Sequence, residues 1–261
     1  MTREASRVAL VTGGAAGIGH ATARALAASG HRVCLLDLDG GLARQRAQEL
    51  GAEHLGLACD VASEDDVSAA VTQVIEACGR IDVLVNNAGI GDQAAPTLRQ
   101  SVDHFDKVLD IHLRGTFLMS REVARIMVAN GGGAIVNLCS ITALAAIPGR
   151  NAYSAAKAGI AAMTRTMACE WARSGVRVNA VAPGYVRTEL VQKLEAEGAL
   201  DTQRIAAHTP LGRLARPDEI AAVIAFLASS QASYVTGTTL NADGGWLAFG
   251  APDETLLGQV T

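Results

Sequence analysis

The sequence predicts an α/β fold: one doubly wound parallel sheet of about seven strands with helices on both faces. Three observations predict it. Seven short runs rich in Val, Ile and Leu, near residues 7–11, 32–36, 54–58, 82–85, 133–138, 176–181 and 238–242, alternate with longer patterns of helical period. Continuous apolar runs mark strands buried on both faces, and parallel neighbours require helical crossovers. A glycine-rich loop directly follows the first run and opens a helix, and the remaining polar and glycine motifs stand after the carboxyl ends of later runs, where such sheets collect ligands. No linker or charge run divides the 261 residues, so 1–261 is read as a single domain.

Taken in order, the first strand runs from Arg7 to Val11 into Thr12-Gly-Gly-Ala-Ala-Gly-Ile-Gly19 and an Ala-rich helix ending at Ser29. Such a loop turns backbone N–H groups and the positive end of a helix toward a pyrophosphate, the Rossmann-like arrangement. Gly13, Gly17 and Gly19 permit the tight turn and close approach, with Ala16 and Ile18 as further contacts. The second strand ends at Asp37, 18 positions after Gly19, where a carboxylate accepts hydrogen bonds from an adenosine ribose and repels a 2′-phosphate. Ala15, Ala16 and Leu38 bring no cation there, so the pattern predicts NAD rather than NADP. The competing reading has Asp37 capping the helix that starts near Asp39.

The third strand ends at Cys59-Asp60-Val61 and the fourth at Asn86-Asn-Ala-Gly89, a turn that also has a purely packing reading. A helical region over 101–129 carries Ile111-His112-Leu113-Arg114-Gly115-Thr116-Phe117. The fifth strand leads to Ser140, and the helix over 151–173 carries Tyr153 and Lys157. Residues four apart share one side of a helix, so a phenol and an ammonium converge while a hydroxyl from the preceding loop closes the spot. Singly, such a Tyr is ordinary packing and such a Lys a solvated neighbour; together with the glycine loop they outline a proton-transfer site. The sixth strand ends at Pro183-Gly184, and the segment over 188–210 reads either as a lid or as a surface helical hairpin. Ile141–Ile147, Gln93–Pro96 and Tyr185–Leu190 are expected to line a partly apolar substrate pocket, with Tyr185 in contact.

Composition excludes other classes. With 49% hydrophobic and 18% charged residues the chain has material for a well-buried core, and a net charge of −4 offers no broad positive field for nucleic acid. The five scattered cysteines, Cys34, Cys59, Cys78, Cys139 and Cys169, form no Cys-x-x-Cys pair, which predicts a reducing cytoplasm and no disulfide framework. The six histidines show no metal-ligand spacing. The start lacks the apolar stretch of a signal peptide, and Ile220–Ala228 falls well short of the roughly 18 apolar residues that span a bilayer.

From about Val8 to Gly245 the chain resembles the short-chain dehydrogenase/reductase family, on Thr12–Gly19, Asp60-Val61, Asn86–Gly89, Ser140, Tyr153-Ser-Ala-Ala-Lys157, Arg177–Gly184 and Asp243-Gly-Gly245. The resemblance implies Asp60 and Val61 near an adenine, Asn87, Ala88 and Gly89 along its ribose, and Pro183, Gly184, Val186 and Thr188 around a nicotinamide. It implies Tyr153 as acid/base, Ser140 holding the substrate oxygen, and Lys157 on the nicotinamide ribose and beside the phenol. A free phenol titrates near about 10, and a neighbouring cation favours the phenolate. One position departs from the family: His112 stands where an Asn usually helps hold a water connecting the lysine to solvent. Its unperturbed pKa of about 6.5 predicts either a pH-sensitive relay or a structural imidazole.

The implied activity is NAD(H)-dependent oxidation of a secondary alcohol or polyol, or reduction of the ketone. The alternatives are a 3-oxoacyl carrier reductase and a decayed nucleotide-binding regulator. A homotetramer is also implied, with the long apolar faces of the helices over 101–129 and 151–173 as candidate contacts.

Overall fold

Seven parallel strands form one sheet in the order β3-β2-β1-β4-β5-β6-β7 in the computed structural model, which describes residues 6–91 and 94–250. The strands are β1 Val8–Thr12, β2 Arg32–Asp37, β3 Leu55–Ala58, β4 Val83–Asn86, β5 Gly133–Leu138, β6 Val176–Pro183 and β7 Thr239–Ala242. Each predicted strand is present to within one or two residues at either end. The chain builds outward from β1 to β3, then returns to lay β4 on the other side of β1. That reversal opens a crevice beyond the carboxyl ends of β1 and β4.

Alternation along each strand feeds two cores. Val8 and Leu10 of β1 join Cys34 and Leu36 of β2 on one face, under α3 (Glu64–Cys78), α5 (Gly115–Ala129) and α6 (Asn151–Trp171). Ala9 and Val11 join Val33 and Leu35 on the other, under α1 (Gly17–Ala28), α2 (Gly40–Leu50) and α9 (Pro217–Ala228). Strands with both faces covered need apolar residues at every position, so the first strand reads as an unbroken apolar run.

The predicted helical region over 101–129 is α4 (Val102–Leu109) and α5 joined without a break by a π-helical turn, Asp110–Arg114. Between β6 and α9 lie two short helices, α7 (Glu189–Ala196) and α8 (Thr202–His208). Among the described residues no helix is long and apolar enough to cross a membrane. Gln93, expected beside the pocket, and the chain after Gly250 lie outside the described residues.

Candidate active site

The glycine loop is tied to the end of β4. Thr12 Oγ1 accepts from the Asn87 and Ala88 amides, each at 3.0 Å. Asn87 Nδ2 in return donates to the Thr12 and Gly13 carbonyls, also at 3.0 Å. The side-chain amide of Asn87 therefore serves the loop directly, a packing role the sequence left open. A Cβ on Gly19 would stand 2.0 Å from the Gly13 carbonyl oxygen, so only glycine lets α1 start so close to the turn. Ala16 at the N-cap makes no side-chain cap hydrogen bond, and the first turn of α1 carries no acidic residue. Its first amides are thus open to an anionic ligand and the helix dipole favours one.

Asp37 is half-buried at the end of β2. One carboxylate oxygen accepts from the Ala15 amide at 3.1 Å and the other from the Asp39 amide at 3.2 Å. The residue that caps the helix directly is Asp39, which accepts from Leu42 N at 2.9 Å, while Asp37 steadies the start of that helix only through the Asp39 amide. Leu38 beside it is 76% exposed, an apolar shelf on the rim of the crevice. At the end of β3, Asp60 turns its carboxylate back onto the Ala62 amide at 2.9 Å, and Val61 is buried against Gly115.

One helical turn separates Tyr153 from Lys157 on α6. Lys157 is buried; its Nζ donates to the Leu138 carbonyl at 2.7 Å and lies 5.3 Å from the centre of the Tyr153 ring. Burial disfavours the charged ammonium and lowers its pKa to about 8. Ser140, two residues beyond Leu138, is also buried, and its Oγ accepts from Thr142 N at 3.2 Å to cap the short turn Ile141–Ala143. The carboxyl end of β5 thus supplies both the serine and the carbonyl that anchors the lysine. No sequence signal marks Leu138, because its contribution is a main-chain oxygen.

His112 sits in the π-helical turn, 3% exposed, with its ring edge-on to Tyr153 at 5.1 Å between centroids. Nε2 lies 3.0 Å from the Ile90 carbonyl and 3.1 Å from the Ile90 amide, so either neutral tautomer finds a partner on that one residue. Nδ1 is buried and has no partner among the described residues. A Cβ at Gly89 would come within 2.2 Å of the imidazole Cε1, so the glycine that ends the β4 turn makes room for the ring. Burial, and then the Lys157 charge, push the pKa of His112 down to about 3. Of the two readings of this residue, a pH-sensitive relay and a structural imidazole, that downward shift favours a ring that is neutral near pH 7. Beneath it runs a buried polar chain the sequence did not reveal, in which Asn86 Nδ2 donates to Ser120 Oγ and Asn137 Oδ1 at 2.8 Å each, and Asn137 Nδ2 donates to Thr164 Oγ1 at 2.9 Å.

Beyond β6, the Gly184 amide donates to the Ala242 carbonyl at 3.1 Å and Tyr185 is half-buried. Pro183 is buried, and Val186 is buried in the core beside Ile220, which leaves it mainly its backbone to offer a ligand. Thr188 caps α7 through Val191 N at 3.3 Å and lays its methyl beside Gly17, bringing the segment over 188–210 onto the glycine loop. A cavity of about 570 Å³ lies beyond β6, lined by Gly184, Tyr185, Pro210, Leu211 and Asp243 among others; of the residues expected to line the substrate pocket it includes Tyr185, and Ser140, Tyr153, Lys157 and Ile141–Ile147 do not line it. Among the described residues no group of three or more His, Cys, Asp and Glu is placed to hold a metal ion.

A family model described as enoyl-(acyl carrier protein) reductase matches residues 13–247. The chain is 45% identical to the cis-4-hydroxycyclohexanecarboxylate dehydrogenase of Sinomonas cyclohexanicum, over 94% of this chain and 98% of that protein. An uncharacterized short-chain type dehydrogenase/reductase of Sinorhizobium fredii is 48% identical over 94% of this chain, which spans only 44% of that longer protein. Among solved structures, a levodione reductase superposes with a TM-score of 0.87 at 38% identity, covering 94% of this chain and 99% of the other.

Proposed function

This chain belongs to the short-chain dehydrogenase/reductase family of oxidoreductases, and from that premise we propose that it is an NAD(H)-dependent enzyme that moves a hydride between nicotinamide and a secondary alcohol or its ketone. The observation that carries the reading is the Lys157 ammonium beside the Tyr153 ring, with Ser140 at the same strand end. Tyr153 takes the hydroxyl proton of the alcohol in oxidation and returns it to the ketone oxygen in reduction. Ser140 holds that oxygen. The charge on Lys157 favours the phenolate, and each unit by which it lowers the phenol's pKa corresponds to about 1.4 kcal/mol. When bound, the nicotinamide supplies the hydride acceptor or donor. His112, neutral and pressed edge-on to Tyr153, positions the phenol, and its buried Nδ1 is the group available to pass a proton onward.

The uncapped start of α1 and the Gly13–Gly19 turn fit a pyrophosphate, with Ala16, Gly17 and Ile18 at its edge. Asp37 receives the adenosine ribose and excludes a 2′-phosphate, and Leu38, Asp60 and Val61 border the adenine. Asn87, Ala88 and Gly89 follow the ribose, while Pro183, Gly184, Val186 and Thr188 border the nicotinamide. Tyr185 contacts substrate, and α7 with α8 forms a lid over the site. The substrate class is a small to medium cyclic or open-chain secondary alcohol.

The test is a screen of NAD+ and NADP+ with a panel of secondary alcohols, repeated with Tyr153→Phe. The expected result is a clear NAD+ preference and a variant that still binds NADH while losing at least about a thousandfold in turnover, the scale general acid–base catalysis supplies. Turnover equal to the parent's in Tyr153→Phe would remove the tyrosine from the mechanism. NADPH-dependent reduction of a 3-oxoacyl thioester with no alcohol oxidation would favour the carrier-reductase alternative.

A further inference from the structure

One close pair of nucleophilic side chains lies outside the proposed chemistry. Cys34 is fully buried in β2, three residues before Asp37 on the same strand, and Cys78 is the half-buried last residue of α3. Their Sγ atoms are 3.7 Å apart although 44 positions separate them in the chain. A sulfur–sulfur bond is about 2.05 Å long, so closing it takes a small displacement of one side chain.

The surroundings also divide the two thiols into an attacking and a resolving member. Arg32 is pinned by hydrogen bonds from Nε to the Glu53 carbonyl at 2.7 Å and from Nη1 to the Ala77 carbonyl at 2.9 Å, beside Cys78. The hydrogen bond from Cys34, with the Arg32 charge assisting, draws the Cys78 thiol below its ordinary pKa, whereas that same contact and burial push Cys34 up. The more accessible sulfur, next to the residue whose carbonyl holds the Arg32 guanidinium, is therefore the one placed to attack.

We propose that Cys34 and Cys78 form a reversible intramolecular disulfide on reaction with a low-molecular-weight disulfide, a thiol-exchange site separate from the proposed dehydrogenase centre. In the first step the Cys78 thiolate attacks one sulfur of the small disulfide, forming a mixed disulfide and releasing one small thiolate. In the second, the sulfur of Cys34 attacks Cys78 Sγ, the mixed bond breaks, and the second small thiolate leaves with the proton that Cys34 gives up. The protein loses two hydrogens, and one small disulfide becomes two thiols. The new bond closes a long loop between β2 and α3, which restricts the unfolded chain and raises the thermal midpoint by several degrees.

The experiment uses the full chain carrying Cys169→Ser, which removes the exposed third thiol. The folded protein is incubated with excess glutathione disulfide, then denatured, alkylated and weighed. Two of its four remaining thiols are expected to escape alkylation, with a mass lower by about 2 Da before alkylation, reversed by dithiothreitol. Adding Cys78→Ser should leave all remaining thiols alkylated, and adding Cys34→Ser should leave a glutathione adduct trapped on Cys78. Four alkylated thiols in the oxidised parent, or thiol loss that persists in the folded Cys78→Ser protein, overturns the proposal. Since Cys78 is half-exposed at a helix end, that variant keeps the test decisive even where a serine buried at position 34 prevents folding.

Discussion

Lys157 and His112 share one buried neighbourhood, and burial acts on both in the same direction: each is pushed toward its neutral form, the lysine to about 8 and the histidine to about 3. For the histidine the consequence has a definite sign. Between about 6.5 and 3 the unfolded chain binds a proton at this position and the folded chain does not, so stability falls as pH drops through that window. Replacing it with a group that cannot titrate removes the loss. His112→Asn is therefore expected to unfold at lower pH than the parent in an acid titration followed by circular dichroism. His112→Ala, which also empties the space against Tyr153, should lower turnover by about tenfold or more at every pH from 6 to 9, because a neutral ring contributes no ionisation there. Unchanged rates in the alanine variant, or a limb near pH 6.5 that disappears with it, would contradict this role. The residues themselves were legible in the sequence, since Ser140, Tyr153 and Lys157 announce themselves by spacing. What Lys157 and His112 touch was not: the Leu138 carbonyl and the Ile90 backbone are main-chain groups that any side chain at those positions would present.

Elements carry the site by their ends. Strands β1, β2, β4, β5 and β6 finish at Thr12, Asp37, Asn86, Leu138 and Pro183, and the apolar runs of the sequence located each of these ends because both faces of the sheet demand apolar side chains. The π-helical turn at Asp110–Arg114 left no such trace. Helical period continues through it, so the apolar and polar positions on either side give no sign of the extra residue. The short polar helices α7 and α8 were equally ambiguous, because their composition suits a lid and a surface hairpin alike. At the junction of β1 and α1 the geometry makes a sharper demand. A methyl group at position 19 would lie 2.0 Å from the Gly13 carbonyl oxygen and 2.4 Å from Asn87 Nδ2. Gly19→Ala must therefore push the loop away from β4, at an overpacking cost of about 1–3 kcal/mol. NADH titrated by fluorescence should bind at least about tenfold more weakly, equivalent to roughly 1.4 kcal/mol, and the melting temperature should fall. Parent-like affinity together with a parent-like melt would mean that the loop does not hold the cofactor in the way proposed.

At the scale of the whole molecule, the two helical layers each leave large apolar side chains in solvent. Phe117 and Val128 on α5 are 41% and 40% exposed on one side of the sheet, and Phe226 on α9 and Leu240 on the β7 edge are 40% and 38% exposed toward the other. Single exposed apolar residues need no explanation, but two groups on opposite layers offer two independent self-contacts, and two perpendicular twofold contacts build a D2 tetramer. The net charge of −4 is small for a chain of 261 residues and opposes such contacts weakly. Light scattering should therefore return about four times the 26.9 kDa chain mass. Because the patches are separate, disrupting them should take the assembly apart in stages: Phe117→Glu should leave a dimer held through α9 and β7, and adding Phe226→Glu should leave monomers. Both side chains are far enough into solvent that a carboxylate there costs the isolated fold little, so circular dichroism should stay unchanged while the mass falls. A parent protein that is monomeric at every concentration measured, or a Phe117→Glu variant that remains tetrameric, would show that these faces do not hold subunits together.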